Sequence, residues 1–168
     1  TATETPTNTP TATATTTATP TNTPALVKLG NLVWHDADND GLKDAREQGI
    51  DGVMVQLFKA GQDPATAQPL MSTTTHDDGF YQFNGLVPGD YFVYIPHPPV
   101  QYPVSSTPST LTDNGVDNDD NGSQTALGAP VSSPAIRLTA NGEPSLAIDG
   151  DDNNGDMTVD FGFYAPVT

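Results

Sequence analysis

An all-β sandwich preceded by a separate, extended Thr/Pro-rich segment is the fold class this sequence predicts, and three observations predict it. Short runs of β-branched and aromatic residues recur between turn residues, with no convincing helical period. Composition changes at Ala25, where a threonine alternation gives way to residues able to build a core. The acidic residues gather in loops between the runs rather than along one face of a helix.

The 168 residues suffice for one core and hardly for two. The expected division is an extended segment over 1–24 and a β-sandwich over 25–168. No run of eighteen apolar residues is present, so membrane insertion is not expected. No basic region with an apolar stretch opens the chain, so any export signal is expected to be removed or to lie outside it. Cysteine is absent, which excludes disulfides as the stabilising device. A formal charge of −16 with only five Lys and Arg argues against nucleic acid, because phosphate contacts need cations. Clustered acids favour hard cations as partners.

Within 1–24, threonine holds every odd position: Thr1, Thr3, Thr5, Thr7, Thr9, Thr11, Thr13, Thr15, Thr17, Thr19, Thr21 and Thr23. A period of two places all of them on one face of an extended chain, where they are candidates for O-glycosylation. Pro6, Pro10, Pro20 and Pro24 all fall at even positions, so the missing N–H groups lie along one edge. Two readings stay open: a plain linker, and an ordered, glycosylated connector to a neighbouring subunit.

Beyond Ala25, Leu29–Trp34 and Gly52–Phe58 read as strands. Thr73–Phe83 reads as a hairpin about Asp78-Gly79, a favoured two-residue turn. Tyr91–Ile95 reads as a strand ended by Pro96, and Pro98, Pro99 and Pro103 lead into a long loop. Ala135–Leu138 and Met157–Tyr164 supply the last strands.

Between the first two strands lies Asp36-Ala37-Asp38-Asn39-Asp40-Gly41-Leu42-Lys43-Asp44-Ala45-Arg46-Glu47. Acids at loop positions 1, 3, 5, 9 and 12, with glycine at 6, match the twelve-residue EF-hand register. Ca²⁺ takes six to eight hard oxygens. Asp36, Asp38 and Asp40 each turn one carboxylate inward, the Leu42 carbonyl supplies position 7, Asp44 binds directly or through water, and Glu47 closes the shell. Without a cation, two carboxylates ~4 Å apart repel by roughly 1 kcal/mol in water and ~4 near a protein surface. Strands rather than helices flank the loop, so it is expected to staple the fold rather than switch it.

Two further acidic stretches supply oxygens and turns without that register. One is 113–122, with Asp113, Asp117, Asp119 and Asp120; the other is 149–156, with Asp149, Asp151, Asp152 and Asp156. One or two more Ca²⁺ ions, or solvated acidic loops, are the alternatives there. Asn121-Gly122-Ser123 matches an N-glycosylation sequon, read as incidental.

Leu29–Asp36 running into the calcium loop, Gly49–Leu57, Asp78–Phe83 with Pro88-Gly89, and Val159–Tyr164 together resemble an SdrD B-like domain, related to the Cna B-type sandwich of bacterial surface adhesins. The resemblance spans roughly 27–165. It implies a prealbumin-like (Ig-like) β-sandwich, rigidified by calcium, repeated or fused in secreted and cell-surface proteins as stalk or spacer. Some Cna B-type relatives form a Lys–Asn/Asp isopeptide bond between first and last strands, aided by a buried Glu. Lys28 and Asp160 hold the corresponding places, but Tyr91–Ile95 offers no Glu and Glu143 falls in a loop, so the bond is not expected here.

Three functions compete. The first is a structural module that self-associates head to tail or joins neighbouring domains. The second is an adhesin, binding protein or carbohydrate. The third is an enzyme, which the scattered His35, His76 and His97 and the lack of a nucleophile setting disfavour. The tail and the rigid sandwich together favour the first.

Overall fold

The computed structural model of the protein describes residues 1–3, 23–107 and 109–166. The threonine candidates between Thr5 and Thr21 lie outside the described residues. The strands are β1 (Val27–His35), β2 (Met54–Lys59), β3 (Met71–Thr74), β4 (Phe80–Leu86), β5 (Gly89–Ile95), β6 (Val104–Ser105), β7 (Ser123–Gln124), β8 (Val131–Ser132), β9 (Ile136–Leu138), β10 (Gly155–Asp156) and β11 (Phe161–Tyr164). One helical turn, α1 (Leu146–Asp149), breaks the all-β pattern.

Two sheets form. In one, β1 lies between antiparallel β4 and the parallel pair β10 and β11, with β6 beyond β11. In the other, β2 lies between β3 and β5, and β5 continues to β8, β9 and β7. Alternation selects the core. Val27, Leu29 and Val33 of β1, Val55 and Leu57 of β2, Tyr81 and Phe83 of β4, Tyr91, Val93 and Ile95 of β5, and Phe161 and Phe163 of β11 meet in one buried cluster. This is a β-sandwich, as expected.

The structure corrects two element readings. Thr73–Phe83 is not a hairpin within one sheet: β3 pairs with β2, whereas β4 pairs with β1. Only the His76–Phe80 bridge closes locally, over Asp77, Asp78 and Gly79, all at positive φ (50°, 68° and 86°). The turn chemistry reverses the chain, yet the reversal carries it from sheet to sheet. Gly79 is required there, because a Cβ would sit 2.1 Å from the Val33 carbonyl oxygen. Nor is Met157–Tyr164 one strand. β10 and β11 both run parallel to β1, joined through Val159, whose amide donates to the Gly30 carbonyl at 3.0 Å and whose carbonyl accepts from the Asn31 amide at 3.0 Å.

β1 sets the long axis. Its nine residues separate Val27 at one pole from His35 at the other by about 26 Å. The calcium-type loop leaves from the His35 pole, and residues 23–26 leave from the Val27 pole. No helix among the described residues is long and apolar enough to cross a membrane.

Candidate metal centre

Asp36 follows β1 directly and is completely buried. Its Oδ2 accepts from the Gly41 amide at 2.9 Å and its Oδ1 from the Asp40 amide at 3.3 Å, which curls the loop around this carboxylate. Gly41 sits at φ 78°, the left-handed turn that position 6 requires. Glu47 closes the far end: Oε1 accepts from the Ala37 amide at 2.6 Å and Oε2 from the Asp44 amide at 3.0 Å. Lys43 Nζ donates to the Glu47 carbonyl at 2.5 Å and the Asp44 carbonyl at 3.2 Å, tying down the exit.

Carboxylate oxygens of Asp36, Asp38 and Asp40 lie within 4.8 Å of one another, the one such group among the described residues. The Asp38 carboxyl is pushed above its ordinary range by loss of hydration, then by Asp40, Asp36, Glu47 and Asp44 in that order. The other four acids of the register therefore all act on the Asp38 carboxyl. The Leu42 amide donates to Asp40 Oδ1 at 2.9 Å, and the antiparallel bridge to Asp119 uses Gly41 and Lys43 instead. The position-7 carbonyl is left out of that pairing.

That bridge brings the second acidic stretch onto the loop. The Lys43 amide donates to the Asn118 carbonyl at 2.8 Å, and the Asp120 amide donates to the Gly41 carbonyl at 2.9 Å. Asp120 is fully buried; its Oδ1 accepts from Gly162 at 2.9 Å and Gly122 at 3.1 Å, while its Oδ2 has no hydrogen-bond partner. Asp119 is 6% exposed; its Oδ2 accepts from Asn114 Nδ2 at 3.0 Å and its Oδ1 is likewise unpartnered. Burial raises the Asp120 carboxyl well above its ordinary value, and Asp36 and Asp119 add to the rise. A hard cation suits this donor set: buried, anionic, all oxygen, with acceptors to spare.

Asp117 accepts from Asn31 Nδ2 at 2.9 Å and Asn118 Nδ2 at 2.7 Å. Asp149 accepts from the Asp151 and Met157 amides, each at 3.0 Å. Asp151 holds Lys28 Nζ 2.7 Å from both oxygens, and Asp152 accepts from the Asn154 amide at 2.9 Å. Asp156, almost completely buried, accepts from Thr158 Oγ1 at 2.6 Å and the Thr158 amide at 3.1 Å. Its carboxyl is raised to about 6, by desolvation first and then by the negative charges of Asp113 and Glu143. Asp113 is exposed and belongs to this group electrostatically rather than to the loop at Asp36.

Sequence reading missed two acids as site residues. Asp160 is completely buried; Oδ1 accepts from the Leu32 amide at 2.9 Å and Oδ2 from the Asn118 amide at 2.8 Å, pinning the second acidic stretch to β1. An acid between Val159 and Phe161 in an apolar strand was the available signal. Glu143 is buried and accepts from the Thr139 amide and hydroxyl. Lys28 faces Asp151, not Asp160, so no isopeptide partners meet. Asn121 is buried with its amide engaged to Thr110, so the sequon is unavailable in the fold.

Comparison with known proteins agrees with this architecture. The chain matches the SdrD B-like domain over residues 27–163. It is 33% identical over 142 residues to serine-aspartate repeat-containing protein D of Staphylococcus aureus strain Newman, covering 83% of this chain and 8% of that protein. It is 40% identical over 94 residues to serine-aspartate repeat-containing protein C of the same strain, covering 54% of this chain and 9% of that protein. It thus spans under a tenth of the curated relatives it matches. The chain belongs to the SdrD B-like domain family of bacterial surface proteins, and its place is extracellular, at the cell surface.

Proposed function

We propose that this chain is a non-enzymatic structural module, rigidified by Ca²⁺ and joined head to tail with copies of itself or with neighbouring domains. The carrying observation is the fully buried Asp36 carboxylate at the end of β1, facing Asp38 and Asp40 and backed by the second acidic stretch. Buried carboxylates without a counter-charge oppose folding, and a hard cation reverses that sign. Asp36, Asp38, Asp40, Asp44, Glu47 and the Leu42 carbonyl would hold the ion, which supplies charge neutralisation. The loop's own hydrogen bonds already set its curvature, and the bridge to Asp119 ties it to the second acidic stretch.

Two features support a spacer over a catalyst. His35 stacks on Tyr102, His76 faces Asp77 and His97 is exposed; among the described residues none hydrogen-bonds a hydroxyl or amine nucleophile. Strands on both sides of the loop offer no helix pair to open. The adhesin reading draws on a different observation, an apolar groove beside the loop between residues 50–54 and 97–102.

Calorimetric titration of the full chain with Ca²⁺, read alongside fluorescence of the single tryptophan, Trp34, tests the metal. Electron micrographs at millimolar Ca²⁺ test the linkage. Saturable heat and end-to-end chains are expected. Absence of heat refutes the metal, and monomers alone refute the head-to-tail arrangement.

A further inference from the structure

The groove beside the calcium-type loop has the chemistry of a docking site for an extended, proline-bearing peptide. Ile50, Val53, Met54, Pro98, Pro99 and Tyr102 line a depression of about 580 Å³. The ring of Tyr102 stacks on His35 at 3.9 Å, and the Ile50 amide donates to the Val33 carbonyl at 2.8 Å, so both walls are fixed to the end of β1. On this rim Val100 is 96% exposed and Met54 47% exposed. Asp51 is the groove's one acid, in a chain whose formal charge is −16.

We propose that this groove receives the Thr/Pro-rich segment 1–24 of a second copy, an inference that rests on the head-to-tail reading above. Three observations select that occupant. The segment departs from the Val27 pole while the groove lies at the His35 pole, so a neighbour stacked end on end presents it directly. The donor's own groove is about 26 Å back along β1. The reach is adequate for a neighbour's groove and for the donor's own, since 24 residues in polyproline geometry extend about 75 Å, and isotope labelling separates the two. Charge selects it as well. Copies this acidic repel, and Glu4 is the segment's only charged side chain, so a segment with one charge entering a groove with one acid is the contact that costs least. Aromatic and proline walls suit preformed proline-bearing strands. Contact between different surfaces of successive copies does not close and therefore propagates.

The test uses the full chain at millimolar Ca²⁺, with a photo-crosslinking amino acid at position 100 and an equal mixture of ¹⁴N and ¹⁵N copies. A cross-link from position 100 to residues 1–24 of the other isotope is expected. Cross-links only within one copy, or to another surface, overturn the proposal. In parallel, Val100→Asp and Met54→Asp are compared with wild type by light scattering and thermal melting. Loss of assembly with an unchanged melting temperature is expected, since both side chains project into solvent. Assembly that persists in both variants overturns the groove while leaving the head-to-tail reading intact. A wild type that stays monomeric overturns both.

Discussion

The Asp120 amide donates to the Gly41 carbonyl across 2.9 Å, so two acidic loops distant in sequence share one backbone seam. Beneath the seam both the Asp36 and Asp120 carboxylates are fully buried. Buried carboxyl groups are concentrated where the two loops meet, and the consequences depend on whether a cation is present.

Asp120→Asn is expected to change sign with calcium. In EDTA the substitution removes a buried charge whose carboxyl is already driven upward, while its Oδ1 contacts to Gly122 and Gly162 are kept, so the melting temperature rises. In millimolar Ca²⁺ the same variant loses a negative charge that backs the site beside Asp36 and melts lower than wild type. Equal shifts in both buffers would show that Asp120 does not face the ion.

Acidity offers a second handle. Burial and the nearby Asp113 and Glu143 raise the Asp156 carboxyl to about 6, above its unfolded value. The folded protein therefore holds the proton to higher pH than the unfolded chain. Metal-free stability is expected to fall as pH rises from near 4 through about 6, by about 3 kcal/mol from this group at most. Urea titrations in EDTA across that range measure it, and Asp156→Asn is expected to flatten the slope. A slope of opposite sign contradicts the assignment.

Lys28 and Asp151 form the ion pair joining β1 to the third acidic stretch, and both are partly exposed. Lys28→Met is expected to cost no more than about 1 kcal/mol in denaturant melts, because solvent screens such pairs. Intact mass should show no loss of one water, since the amine meets Asp151 and not Asp160. A mass short by one water would establish a covalent cross-link.

Much of this was legible in the sequence, for reasons that differ by element. The acidic cluster at Asp36 was readable because its members are local: register alone brings Asp36, Asp38 and Asp40 together. The sandwich was readable from alternation, as in Val55 and Leu57. What escaped is non-local. Asp78-Gly79 encodes a reversal but not which sheet receives the next strand. No spacing announces that Asp119 will pair with Leu42, or that Glu143 will share a field with Asp113 and Asp156. Asp160 was visible as an oddity, an acid alternating with Val159 and Phe161, yet only the fold shows it bonded to Leu32 and Asn118.

Rigidification by Ca²⁺ is tested by a pair of thermal melts of the full chain, one in millimolar Ca²⁺ and one in EDTA, followed by circular dichroism and repeated with Asp36→Asn. At a hundredfold excess over the dissociation constant, one site adds about 2.7 kcal/mol. A melting temperature several degrees higher with calcium is expected, a difference that Asp36→Asn removes. Superimposable curves with and without the ion would contradict it.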